Sequence, residues 1–141
     1  MAESEGKDQE VQEKYYYLQQ LRNDSETVQN RISEVENARN ELDSTIESLE
    51  YFSSLDGQVE ALMNLGGGVF AYVDVKDSRK MLCDVGGGVV MEKEVDDAVE
   101  SLKERREKLK ENISNLENTF NQIVNEAEKV QQELTEMTRE E

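Results

Sequence analysis

Three sets of residues in this chain could do chemistry: two triple-glycine phrases, a large population of carboxylates, and one thiol. The phrases Leu65-Gly66-Gly67-Gly68-Val69 and Val85-Gly86-Gly87-Gly88-Val89 suggest phosphate loops. Such a loop needs Gly-Lys-Ser/Thr and a helix behind it, whose first amide N–H groups meet the anion. Neither phrase has these features, and each runs into an apolar, strand-like stretch. The 33 acidic residues offer many Asp/Glu pairs for acid–base work, yet most fall at positions that face water. No Asp-x-Asp-x-Asp-Gly calcium loop is present. Cys83 is the only cysteine and histidine is absent, so an internal disulfide is excluded and zinc has no ligand set. Cys83 reads as a small strand residue. The adjacent Tyr15, Tyr16 and Tyr17 could stack on bases, but a net charge of −17 repels nucleic-acid phosphates. No catalytic residue, metal site or cofactor is expected, and neither an enzyme nor a nucleic-acid partner.

The glycine phrases organise the chain. The second copy repeats the first 20 residues later, and the match extends to Leu62 against Leu82 and Asn64 against Asp84. Apolar runs flank each phrase: Ala61–Leu65 and Val69–Val75, then Met81–Val85 and Val89–Met91. Val69, Ala71, Val73 and Val75 alternate with Phe70, Tyr72 and Asp74, which is a strand period. Gly-Gly between such runs marks a tight hairpin, because its turn needs positive φ. Two consecutive hairpins joined at Lys76–Arg79 are predicted.

On either side lies a heptad. The first seam is Val11, Lys14, Leu18, Leu21, Ser25, Val28, Ile32, Val35, Arg39, Leu42, Ile46 and Leu49. The second is Val95, Val99, Leu102, Arg106, Leu109, Ile113, Leu116, Phe120, Ile123, Ala127, Val130, Leu134 and Met137. A 3–4 alternation sustained this long indicates a coiled-coil seam, and a chain without proline suits uninterrupted helices. Charged residues are 35% of the total, against roughly 25% in an ordinary soluble domain. So little apolar material lines a narrow seam better than a spherical core. The predicted segments are a flexible acidic tail over 1–10, a helix over 11–56, the hairpins over 57–94, and a second helix with a frayed end over 95–141. No run approaches the ~20 apolar residues of a membrane span, and a signal-peptide apolar core is missing, so a cytoplasmic location and no membrane partner are expected.

Folding back at the hairpins sets the helices antiparallel. In one register Leu18 meets Val130, Lys14 meets Leu134 and Leu49 meets Val99, while Arg39 and Arg106 occupy adjacent layers opposite Leu109 and Leu42. A register shifted by one heptad satisfies the same pattern. Lys103, Arg105, Arg106, Lys108 and Lys110 then lie beside Glu34, Glu36, Glu41, Asp43, Glu47 and Glu50.

Two places remain unaccounted for by this coil. Four short strands leave unpaired edges, which must be blunted or paired. Pairing with other subunits is expected to use Leu65, Gly66, Gly67, Gly68, Val69, Ala71, Val73 and Val75 with Val85, Gly86, Gly87, Gly88 and Val89; a small closed sheet in a monomer is the alternative. At the far end of the coil, Tyr15, Tyr16 and Tyr17 fall outside the seam, and at least Tyr16 should be exposed. Opposite them lie Val130, Leu134 and Met137, with Leu134 left partly open by Lys14. This end, with Val11 and Leu18, is either a surface for weak contact with unfolded segments or a broadened, finished seam.

The order helix, hairpin, hairpin, helix, with Leu-Gly-Gly-Gly-Val-Phe, Val-Gly-Gly-Gly-Val-Val and then Asp96-Asp97-Ala98-Val99-Glu100-Ser101, resembles an α-type subunit of prefoldin over about residues 11–139. Asn64 and Leu65 stand where some members have proline before the first phrase. The resemblance implies an α+β fold, a long antiparallel two-helix coiled coil joined by two β-hairpins that pair with other subunits into a β-barrel platform. It implies an ATP-independent chaperone of two α-type and four β-type subunits, holding non-native proteins at the coil tips for a group II chaperonin. A structural filament grown through the same hairpins is the competing function.

Overall fold

The computed structural model describes residues 2–139. The elements are α1 (Ala2–Ser53), β1 (Val59–Gly66), β2 (Val69–Val75), β3 (Lys80–Gly86), β4 (Val89–Glu94) and α2 (Val95–Arg139). This is the expected α+β order of two long helices and two antiparallel hairpins. The first boundary is corrected: residues 2–10, expected as a flexible tail, belong to α1. Glu3 and Glu5 lie in the first turn, where carboxylates meet the positive end of the helix dipole. Val11 marks the start of the apolar seam, and the helix extends beyond it through Glu, Gln and Lys, which favour helix without leaving an apolar period. Residues 140 and 141, the end of the segment expected to fray, lie outside the described residues.

The chain divides into two compact units, one formed by residues up to Asn37 with those from Leu109 onward, the other by Ala38–Lys108. In the first, Leu18, Leu21, Ile32 and Val35 of α1 and Ile113, Val130 and Leu134 of α2 are buried. All are predicted seam positions. Leu18, Leu21, Val130 and Leu134 form one cluster, with Val11, Ile123 and Ala127 packed against it. The beginning of α1 therefore meets the end of α2, antiparallel, in the predicted register. Each such side chain contributes roughly 1.5–3 kcal/mol by leaving water.

In the second unit Ile46, Val95 and Ala98 are buried. Three polar links join its helices: Arg106 Nη1 to Asp43 Oδ1 at 3.0 Å, Lys103 Nζ to Glu50 Oε1 at 3.0 Å, and Ser53 Oγ donating to Asp96 Oδ1 at 2.8 Å. Arg106 thus reaches the neighbour of its predicted partner Leu42. Its Nε is buried without a hydrogen-bond partner, so the seam holds a half-satisfied guanidinium. Arg106→Leu is expected to leave thermal stability unchanged or raised by up to about 1 kcal/mol, because removing the unpaired Nε offsets the loss of a half-exposed ion pair. A fall of more than about 2 kcal/mol in thermal melts would instead indicate a satisfied buried network.

Each hairpin is its own two-stranded sheet, β1 with β2 and β3 with β4. Asn64 pairs with Phe70 and Gly66 with Val69, leaving Leu65 as a bulge; Asp84, Val90, Gly86, Val89 and Val85 repeat the arrangement. The loop glycines have positive φ, 59° and 79° at Gly67 and Gly68, 60° and 78° at Gly87 and Gly88. That is the requirement of the tightest hairpin turn, whose twist matches the strands. The Asn64 Oδ1 accepts the Gly66 N–H at 2.8 Å, and the Asp84 Oδ1 accepts the Gly86 N–H at 2.9 Å. A side chain that mimics a turn in this way is characteristic of Asn and Asp. Around Gly87 a Cβ would meet nothing within 4 Å, so Gly87→Ala costs only backbone strain, about 1–2 kcal/mol. Hydrogen exchange should quicken in β3 and β4 and leave β1 and β2 unchanged; equal acceleration in both hairpins would show that they open as one.

The hairpins are tied back at one residue. Ser78, between β2 and β3, is fully buried. Its N–H donates to Gly57 O at 3.3 Å and its Oγ to Leu55 O at 3.3 Å. The Val95 N–H, one of those a helix start leaves without an intrahelical acceptor, donates to Arg79 O at 2.7 Å. The loop between the hairpins therefore binds both the exit from α1 and the entry to α2.

Candidate functional site

Two surfaces carry exposed apolar side chains where a folded single chain would bury them. The first is on the hairpins. Along β1 and β2, cross-strand pairing places Val59, Ala61, Ala71, Val73 and Val75 on one face and Leu62, Phe70 and Tyr72 on the other. The former are half-buried. The latter are open, with Tyr72 79% and Leu62 60% exposed. In the second hairpin Met81, Cys83 and Lys93 share a groove of about 480 Å³ with Leu49, Ala98 and Leu102 of the helices. The alternate face carries Leu82, 75% exposed, and Val90. Cys83 is thus a half-buried strand residue.

Of the residues expected to mediate assembly, Leu65, Val69, Val85 and Val89 are exposed, and Gly66–Gly68 and Gly86–Gly88 form the turns and bulges. Ala71, Val73 and Val75 are placed differently, on the half-buried face. Leu62, Phe70, Tyr72, Leu82 and Val90 were missed, because alternation gives two faces and does not say which is covered when both are apolar. The equivalence of Leu62 and Leu82 in the repeat was the available signal.

The second surface is the end of the first unit. Tyr15, Tyr16 and Tyr17 are all exposed, Tyr16 most at 63%. Tyr15 and Tyr16 meet edge to face with ring centroids 6.4 Å apart, and Gln19 Nε2 donates to the Tyr15 hydroxyl at 3.0 Å. Val11 and Met137 are half-buried. Leu18, Val130 and Leu134 are corrected from open to closed, at 3%, 4% and 8% exposure. The expectation of an open Leu134 rested on a lysine opposite it. Lys14 instead turns aside to Glu133, Nζ to Oε2 at 2.6 Å, and leaves Leu134 in the cluster.

That ion pair shifts both groups. The hydrogen bond to Glu133 raises the Lys14 pKa above its ordinary value, and the hydrogen bond from Lys14 lowers that of Glu133. A lowered carboxyl pKa stabilises the fold above its unfolded value and loses that effect as pH falls through the folded one. A raised lysine pKa stabilises below its unfolded value and loses that effect as pH rises through the folded one. The pair therefore supports this end across neutral pH. Acidification through the carboxylate range should accelerate amide exchange around Val130 and Leu134 before the rest of α2, and Glu133→Gln should remove that pH dependence. An unchanged acid profile in the variant would assign the opening to other carboxylates.

Among the described residues, no group of three or more Asp, Glu or Cys side chains is placed to hold a metal ion. No described helix is long and apolar enough to cross a membrane.

Comparison with known proteins gives consistent matches. A family model described as prefoldin subunit matches residues 21–140. The chain is 51% identical over 127 residues to prefoldin subunit alpha of Archaeoglobus fulgidus, covering 90% of this chain and 93% of that one. It is 31% identical over 130 residues to prefoldin subunit alpha of Methanocorpusculum labreanum, covering 92% and 88%. Its fold is similar to that in a cryo-EM structure of filamentous PFD from Methanocaldococcus jannaschii, with a TM-score of 0.71 at 16% identity over 82% of this chain and 96% of that one.

Proposed function

The chain belongs to the prefoldin family, as an α-type member, and from that premise we propose that it is a subunit of an ATP-independent holding chaperone. Two such chains join four β-type subunits through their hairpins into a β-barrel platform. Non-native proteins are held at the ends of the coiled coils, in the cytoplasm, and are passed to a group II chaperonin. No turnover is part of this reading.

The observation that carries it is the exposed hairpin face of Leu62, Phe70, Tyr72, Leu82 and Val90. Isolated two-stranded sheets are marginal in water, and their free edges are templates for another strand. A contiguous apolar face on a chain of net charge −17 is best explained by coverage from another subunit. Exposed tyrosines at the other end of each helix then remain free for unfolded chains.

A filament grown through the same hairpins is the second reading, and the structural relative is itself a filamentous assembly. Mass separates the two. With a one-hairpin partner, the chaperone closes at a fixed mass at all concentrations, whereas a filament lengthens as this chain alone is concentrated. Function is tested by diluting a chemically denatured client into nucleotide-free buffer with the assembled complex. Suppressed light scattering at near-stoichiometric ratios supports the chaperone. Scattering equal to that with an inert coiled-coil protein overturns it.

A further inference from the structure

The helix pair of the first unit has two different sides. Along the flank of α2 that follows the seam, every seventh residue reads Lys103, Lys110, Glu117 and then Val124, Gln131, Thr138. The charges that normally border a coiled coil stop at Glu117. Beyond it the flank is open: one groove of about 480 Å³ runs past Tyr15 and Leu134, another of about 440 Å³ past Ser25 and Val124. Both are lined by Leu18, Arg22 and Gln131, so they form one continuous trough. From Asp8 to Ser25 its α1 wall is about 25 Å long at 1.5 Å per residue.

Arg22 stands in the middle of this trough. Lys14 and Arg31 on the same helix pair with the carboxylates Glu133 and Glu34, whereas Arg22 Nη2 bonds the neutral amide of Gln131, at 3.3 Å. A guanidinium spent on a long hydrogen bond to an amide gains from exchanging it for a carboxylate, which accepts a shorter, charge-assisted bond. An apolar trough between two helices, flanked by uncharged side chains, is the shape that takes a third amphipathic helix.

We propose that this trough seats an amphipathic helical segment of a non-native protein, about 17 residues long, with a carboxylate at its centre paired to Arg22. The inference rests on the client-holding reading above and adds a specificity to it. Arg22 selects, and the apolar trough supplies the bulk of the attraction. Segments with a lysine at the same place are disfavoured by like charge.

The test uses the complete complex with its β-type partner and two 17-residue Leu-rich amphipathic peptides that differ only in a central Glu or Lys. Each carries a photoreactive group beside that residue, and cross-links are mapped on this chain alone. The Glu peptide is expected to label the Gln131 region about fivefold more than the Lys peptide. Arg22→Glu, at an exposed site that helix content and complex mass should show to be tolerated, is expected to reverse the preference. Equal labelling by both peptides, or labelling confined to the Tyr16 side, overturns the trough while leaving client holding intact. No cross-link to either helix from either peptide overturns the trough and the client-holding reading together.

Discussion

Tyr72→Asp combined with Leu82→Asp should abolish assembly, with the sedimenting mass falling to that of the single 16.2 kDa chain and helix content nearly unchanged. These are the most open apolar side chains of their hairpins, 79% and 75% exposed, so neither supports the fold of the chain alone. Covered by a partner, each would contribute roughly 1.5–3 kcal/mol. A carboxylate in its place not only forfeits that but must be buried unpaired, at several kcal/mol more or with a shifted pKa. Two such sites per chain, repeated at every junction, exceed what a transient sheet edge can supply. The helices have their own seam and should retain their far-ultraviolet signal. If the double variant still assembles at the original mass, the exposed hairpin face is not the interface.

Replacing Tyr15, Tyr16 and Tyr17 together by Ser should leave the mass of the complex intact and weaken its protection of a denatured client several-fold. The three rings are exposed and lie outside the buried cluster of Leu18, Leu21, Val130 and Leu134. They offer apolar area with few rotatable bonds, which suits contact with many sequences. Leu134 stays in place in this variant because it is 8% exposed, and changing it would unpack the helices rather than report on clients. Undiminished suppression of light scattering would remove the tyrosines from the client surface. A dissociated complex would mean that they support packing.

The seam was the most legible part of this chain. Each predicted position, from Val11 to Leu49 and from Val95 to Met137, is buried or half-buried, because a repeat of 3.5 residues has one geometric solution over such a length. The turns were legible for a similar reason: consecutive glycines between alternating runs serve few purposes other than positive φ. The bulges at Leu65 and Val85 were not. They depend on a side-chain oxygen of Asn64 or Asp84 reaching two residues ahead, a local choice invisible to periodicity. Nor did the pattern show Ala98 as buried, since its burial follows from the entry of α2 directly out of β4. The open face of each hairpin was hidden because both faces are apolar in sequence. Leu134 illustrates the limit of reading layers as facing pairs: a long cationic side chain leaves its layer when a carboxylate stands one residue away.

The two hairpins share no strand pairing and meet only through the Ser78 loop. The chain therefore has a valence of two: each hairpin is a separate connector, able to engage its own neighbour without releasing the other. A subunit with a single hairpin has half that valence and can only decorate or terminate. In a mixture, the supply of two-connector chains then sets how many junctions can be bridged, and the ratio of the two kinds sets where growth stops. Excess one-hairpin partner should drive the population toward small closed species, and its depletion toward open ones.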